Sequence, residues 1–128
     1  MQITLLKSKI HRAIVTSTHL DYEGSCAIDE TLLTNSDIKE FEMLHIYNIN
    51  NGNRFTTYAI KAKSNSGIIS LNGAAAHKAK KNDLIIICTY ASFEKTKINT
   101  FKPKLIYLKK ETNIIDRIGN NIATQNSF

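Results

Sequence analysis

In this chain of 128 residues, the chemistry that needs the fewest helpers sits at Gly24-Ser25, within Asp21-Tyr22-Glu23-Gly24-Ser25-Cys26-Ala27-Ile28-Asp29. A serine hydroxyl can attack the carbonyl of the residue before it. Glycine, lacking a Cβ, leaves that carbonyl open and the backbone free to strain. β-Elimination of the resulting ester turns the serine into dehydroalanine, which hydrolyses to a pyruvoyl group. A chain that does this makes its own carbonyl cofactor. An isolated Gly-Ser is ordinarily only a turn, so the reading depends on its surroundings.

The elements that must position this pair are mostly strands. Leu5-Leu6 and Ala13-Ile14-Val15 read as short strands. Leu44 to Asn50 and Arg54 to Ile60 flank Asn50-Asn51-Gly52-Asn53, a hairpin signal because Asn and Gly tolerate positive φ. Ile68 to Leu71 is stopped by Asn72-Gly73, Leu84 to Cys88 reads as a buried strand, and Lys104 to Leu108 as a late one. Helical pieces are expected at Asp29 to Leu33 and Ser36 to Phe41, with Asp29 or Ser36 as N-cap, and at Ala74 to Ala79. Short, closely spaced strands point to a small barrel or sandwich. After Lys109 the chain turns polar; Ile114-Ile115 and Ile118 suit a short helix, and residues 120–128 read as a frayed tail.

Composition narrows the classes. One domain is expected, with 42% apolar and 22% charged residues marking a globular chain. Two cysteines without CxxC spacing make neither a disulfide scaffold nor a metal or redox motif; reduced thiols and a cytoplasmic location are expected. No signal peptide is visible, and no run reaches the ~20 apolar residues that span a bilayer. The net charge of +6 admits a second reading, a basic β-barrel that binds nucleic acid. Its lysines are not interleaved with stacking aromatics, so a solvated basic face is the simpler account.

Four segments carry a resemblance. Lys7 to Arg12, Leu20 to Asp29, Asn51 to Ile60 and Ile68 to His77 together resemble, in order, the pyruvoyl-dependent aspartate 1-decarboxylases. The likeness covers residues 1–108 and leaves 109–128 as a polar tail. It implies a small six-stranded double-psi β-barrel with short helices. It further implies a homotetramer with sites between subunits, and self-cleavage into a 1–24 β chain and a 25–128 α chain. The implied reaction is decarboxylation of L-aspartate to β-alanine and CO2, through a Schiff base with a pyruvoyl group made from Ser25. The β-alanine would supply pantothenate, and thus coenzyme A, biosynthesis. A covalent cofactor needs no P-loop, dinucleotide fingerprint or metal cluster, and none is found in the sequence. Whether maturation is spontaneous or assisted by a partner protein stays open.

The resemblance also assigns residues. Gly24 is the cleavage site and Thr57 the processing residue, with Thr57 also in the substrate pocket. Tyr58 is the proton donor that returns a hydrogen to Cα. Arg54, whose planar fork suits a carboxylate, and Lys9 are the substrate cations. Asn72, Gly73, Ala74 and Ala75 form a turn whose backbone N–H groups face the substrate, with Asn72 also in processing. Tyr22 and His11 are further candidates for proton handling, and no metal ligand is expected. His19 and His45 have no such context. Tyr47 stands where the family often has tryptophan. Cys26 has no evident part, because the serine oxygen accounts for the ester chemistry.

Overall fold

The computed structural model describes residues Met1–Ser127. Its strands are β1 (Gln2–Ile14), β2 (Ser17–His19), β3 (Ser25–Asp29), β4 (Met43–Asn48), β5 (Arg54–Ala62), β6 (Ile69–Asn72), β7 (Leu84–Glu94), β8 (Lys104–Leu108) and β9 (Ile115–Gly119). One helix, α1 (Glu30–Ser36), follows β3, and 3₁₀ turns cover Gly73–His77 and Lys95–Thr100. The mainly β expectation holds. The strands form one nine-stranded sheet in the order β2-β6-β3-β5-β4-β7-β1-β8-β9, with β2 and β9 at its edges, and these pairings do not by themselves show the expected six-stranded barrel. The length of this sheet owes much to β1. It is one long strand rather than two short ones, and its pairing with β7 shifts between Ile10 and Ala13, where Arg12 takes φ 63°. Such a bulge bends the strand and leaves its other side to pair in parallel with β8.

Alternation builds the core. On β3 and β6, Cys26, Ile28, Ile69 and Leu71 are fully buried, and Leu44 and Ile46 of β4 join them. Each such aliphatic side chain contributes about 1.5–3 kcal/mol by leaving water. The Asn50–Asn53 hairpin forms as expected. Asn48 Oδ1 accepts from the Asn50 N–H and Asn51 Oδ1 from the Asn53 N–H, while Gly52 takes φ 78°.

Two local expectations are corrected. Asp29 does cap α1, accepting from the Thr31 N–H at 2.8 Å, but no helix spans Ser36 to Phe41. Ser36 ends α1 with its hydroxyl on the Leu32 carbonyl, and the next residue, Asp37, turns left-handed at φ 57°. Phe41, at φ 72°, is equally non-helical. Nor is there a helix at Ile114–Ile118. β9 forms there and pairs with β8, with the Arg117 guanidinium 3.8 Å from the Tyr107 ring centre. Buried Asn113 ties this end down by bonding the Ile14 backbone and the Gly67 carbonyl. The sheet therefore runs on to Gly119, past residue 108. Residues 120–127 have no regular structure, and Phe128 lies outside the described residues.

Candidate active site

Ser25 opens β3 at the edge of the core: Tyr22, Glu23 and Gly24 are exposed, whereas Ser25 is 1% exposed. The Gly24–Ser25 bond thus joins a solvent-facing turn to a buried strand. Antiparallel pairing with β6 sets Ser25 opposite Asn72, and directly opposed residues bring their side chains together on one face. The Asn72 amide donates to Ser25 Oγ at 3.0 Å, and Asn72 Oδ1 accepts from the Ser70 hydroxyl at 2.9 Å. Ser25 Oγ itself donates to the Glu23 carbonyl at 3.3 Å. All three polar side chains are buried. In so dry a place an amide N–H aimed at the serine oxygen favours negative charge there, and the Ser70 bond polarises the amide further. Such an arrangement would support an anionic form of the Ser25 hydroxyl.

The register that makes this contact is set at the far end of β3. Asp29 Oδ1 accepts from the Asn65 N–H at 2.9 Å and Oδ2 from the Gly67 N–H at 2.8 Å. These bonds clamp the loop before β6, so the cap of α1 also fixes how β6 slides along β3.

Gly73 follows Asn72 with φ 64°. A Cβ there would stand 2.7 Å from Gly24 Cα, 2.8 Å from Gly24 N and 3.1 Å from the Tyr22 carbonyl. The backbone around the Gly24–Ser25 bond therefore rests directly on Gly73, and only glycine permits it. Ala74 and Ala75 continue into the 3₁₀ turn. Tyr22 is 62% exposed and stacks on His19 with ring centres 4.4 Å apart; His19 in turn pairs with Asn72 across β2 and β6. Sequence reasoning passed over His19, because the pairing that brings it here is not local.

β5 runs parallel to β3, with Cys26 beside Ala59. Continued one residue back along both strands, this register sets Ser25 level with Tyr58, and Thr57 precedes Tyr58 on β5. Tyr58 shares the outer face of β5 with Thr56 and Arg54, whereas Thr57 turns inward. Among the described residues the Thr57 and Tyr58 hydroxyls make no side-chain hydrogen bond.

The two cations lie elsewhere on the sheet, on either side of Cys88's neighbourhood. Lys9 pairs with Cys88, Cys88 with His45 and His45 with Thr56, one row across β1, β7, β4 and β5. Burial pushes the Cys88 thiol up, opposed by a hydrogen bond with Tyr90 and by the charges of Lys9 and Arg54, so both cations lie within electrostatic reach of it. Neither Lys9 nor Arg54 has a carboxylate partner among the described residues, which leaves two positive charges for an anion. Arg54 is four residues from Tyr58 on β5, about 13 Å along an extended strand.

His11 is not brought to Ser25. It meets Tyr107 of β8 with ring centres 5.8 Å apart, and its buried Nδ1 has no partner. Burial, then the charges of Lys9 and Arg12, holds its pKa below the usual imidazole value. Cys26 is fully buried, which pushes its thiol up to about 12 and leaves it unreactive at neutral pH. Among the described residues no helix is long and apolar enough to cross a membrane.

Comparison with known proteins gives one consistent result. A family model described as aspartate decarboxylase matches residues 1–115. The aspartate 1-decarboxylase of Nitrosococcus oceani is 60% identical over 98% of both chains. That of Methylobacillus flagellatus is 60% identical over 89% of this chain and 90% of its own. The Hydrogenovibrio crunogenus enzyme is 58% identical over 98% of this chain and 96% of its own.

Proposed function

The chain belongs to the aspartate decarboxylase family, and from that premise we propose that it converts L-aspartate to β-alanine and CO2 with a pyruvoyl group built from Ser25. The observation that carries this reading is the buried Ser25 hydroxyl, held by Asn72 at 3.0 Å beside a backbone crossing that only glycine allows. The residues fit such a group: a small buried side chain, a polar donor on it and a crowded, side-chain-free approach.

Processing follows from these parts. Ser25 Oγ attacks the Gly24 carbonyl carbon, the Gly24–Ser25 C–N bond breaks, and Gly24 becomes the acyl part of an ester on Ser25. The serine nitrogen is released as an amine. Removal of the Ser25 Cα proton then expels the Gly24 carboxylate and leaves dehydroalanine, which water converts to the pyruvoyl group and ammonia. Asn72 supports charge on Ser25 Oγ in the first step. Thr57, next to Tyr58 on β5, is assigned to the Gly24 carbonyl.

The pyruvoyl group, once formed, supplies a carbonyl that takes up the substrate amine and draws off the electron pair left by CO2. The remaining work falls to this chain's side chains. Arg54 and Lys9 receive the carboxylates of aspartate, and the turn Gly73-Ala74-Ala75 offers backbone N–H groups. Tyr58, level with position 25, returns the proton to Cα. We further assign a homotetramer with double-psi barrel subunits and sites completed by neighbouring copies. The parallel pairs β3–β5 and β1–β8 within a mixed sheet support the topology. The distance between Arg54 and Tyr58, and the position of His11, suit a site that one chain leaves incomplete. The β-alanine would feed pantothenate synthesis.

Carbon-13 NMR of the products from labelled L-aspartate tests the activity. The protein should yield β-alanine and CO2, and Ser25→Ala should yield neither. Undiminished CO2 release by Ser25→Ala would overturn the reading.

A further inference from the structure

Arg54 is not left to find its own conformation. Its guanidinium carbon lies 3.9 Å from the ring centre of Tyr47, its cross-strand partner on β4. The Tyr47 hydroxyl is 2.7 Å from the hydroxyl of Tyr90, on the adjoining strand β7. The Tyr90 ring is met edge-on by His45, with centres 5.0 Å apart and planes at 89°. Three strands therefore hold one arginine. β5 supplies it, β4 supplies the aromatic face beneath it, and β7 supplies the hydroxyl that keeps that face from turning. An unrestrained arginine samples many rotamers, and a ligand that needs one of them must overcome that entropy. A guanidinium already stacked and aimed binds a carboxylate with less to lose.

We propose that Tyr90 is a positioning residue for substrate affinity: its hydroxyl fixes the Tyr47 ring, and the ring fixes the Arg54 guanidinium against a substrate carboxylate. The inference rests on the reading of Arg54 as a carboxylate receiver. Burial, and then the Tyr47 bond, push the Tyr90 phenol above its ordinary range, so its hydroxyl keeps its proton at neutral pH. Tyr90 itself touches neither the Gly24–Ser25 bond nor any residue hydrogen-bonded to it among the described residues.

The test is steady-state kinetics on fully processed protein, with Tyr90→Phe, Tyr47→Phe and the double variant. Each removes one partner of the same hydrogen bond and keeps the ring. Tyr90→Phe should raise KM for L-aspartate about fivefold with kcat within about twofold of the parent. Tyr47→Phe should match it, and the double variant should be no worse than either single, because the bond can be lost only once. An unchanged KM in Tyr90→Phe, a fall in kcat in place of the KM rise, or multiplied effects in the double variant would overturn the proposal. NMR reads the positioning without turnover. The Arg54 δ-methylene protons, shifted upfield by the Tyr47 ring, should move toward free-chain values in Tyr90→Phe, and retention of the upfield shift would contradict the role. If the parent releases no CO2 from L-aspartate while this NMR change occurs, the substrate assignment has failed and the positioning role has not.

Discussion

Two buried asparagines do opposite things in this protein. Asn48 donates to the Asp83 carboxylate at 2.9 Å and to the Lys78 carbonyl at 3.1 Å, while its own oxygen accepts from the Asn50 backbone. Asp83 accepts again from the Lys80 N–H at 3.0 Å. Two chain segments, residues 48–50 and 78–83, are tied there, mostly through backbone groups. Asn72 is equally buried, but its recorded side-chain partners are both hydroxyls, Ser70 and Ser25. A polar node closed on backbone groups resists change, because any loss strands a buried donor or acceptor. A node made of hydroxyls leaves one oxygen able to move and react. The first arrangement holds the sheet together; the second is the one the proposed cleavage would use.

Variants separate the two nodes, and the largest effect should come from Gly73→Ala. A Cβ 2.7 Å from Gly24 must displace the Gly24–Ser25 segment, and displacement of about 1 Å costs on the order of 100-fold in a positioned reaction. Cleavage followed by gel electrophoresis should slow by at least that much, with the far-UV circular dichroism retained. Asn72→Ala should slow cleavage by about tenfold to a hundredfold, the worth of one donor to a developing charge. Asn48→Ala should do the reverse: about 2 kcal/mol lost in urea unfolding and an unchanged cleavage rate. Equal cleavage defects in the two asparagine variants would erase the distinction between the nodes.

A smaller effect lies in the acid range. Burial raises the Asp83 pKa, but the Asn48 hydrogen bond, the Lys80 N–H and the Lys80 charge outweigh it and hold the carboxyl below its usual value. The unfolded chain then binds this proton more readily than the folded one. The stability Asp83 contributes is complete above the ordinary carboxylate pKa and is lost as pH falls through the lowered folded value. Thermal melts of Asp83→Asn between about pH 6 and 3 should fall less steeply toward acid than those of the parent. The same melts of Asn72→Ala should keep the parent's slope, because no titrating group belongs to that node.

What the sequence revealed divides along the same line. Gly24-Ser25 stood out because the chemistry it suggests is local, and the hairpin at Asn50–Asn53 was legible because two Asx turns and Gly52 act within a few residues. Strand β7 was legible only to Cys88, because its second half, Thr89 to Glu94, alternates with polar residues at a sheet margin. β9 was misread as a helix because its few isoleucines fit either period. The bond from Asn72 to Ser25 joins residues 47 apart, and the Tyr47–Tyr90 bond residues 43 apart. Such contacts come from strand order and register, which propensity does not encode. The barrel expectation came from family likeness; the strands themselves show a mainly β chain with one nine-stranded sheet, in which the bulged β1 is paired on both sides.

The central claim is that the Asn72–Ser25 node exists to break the chain beside it. Intact-mass spectrometry of the purified protein measures this directly. The account predicts two fragments, residues 1–24 and 25–128, the larger lacking a free amino terminus and lighter than its sequence mass by the change from serine to pyruvoyl. A single full-length species that persists through prolonged incubation, or a larger fragment beginning with an ordinary serine amine, would contradict it.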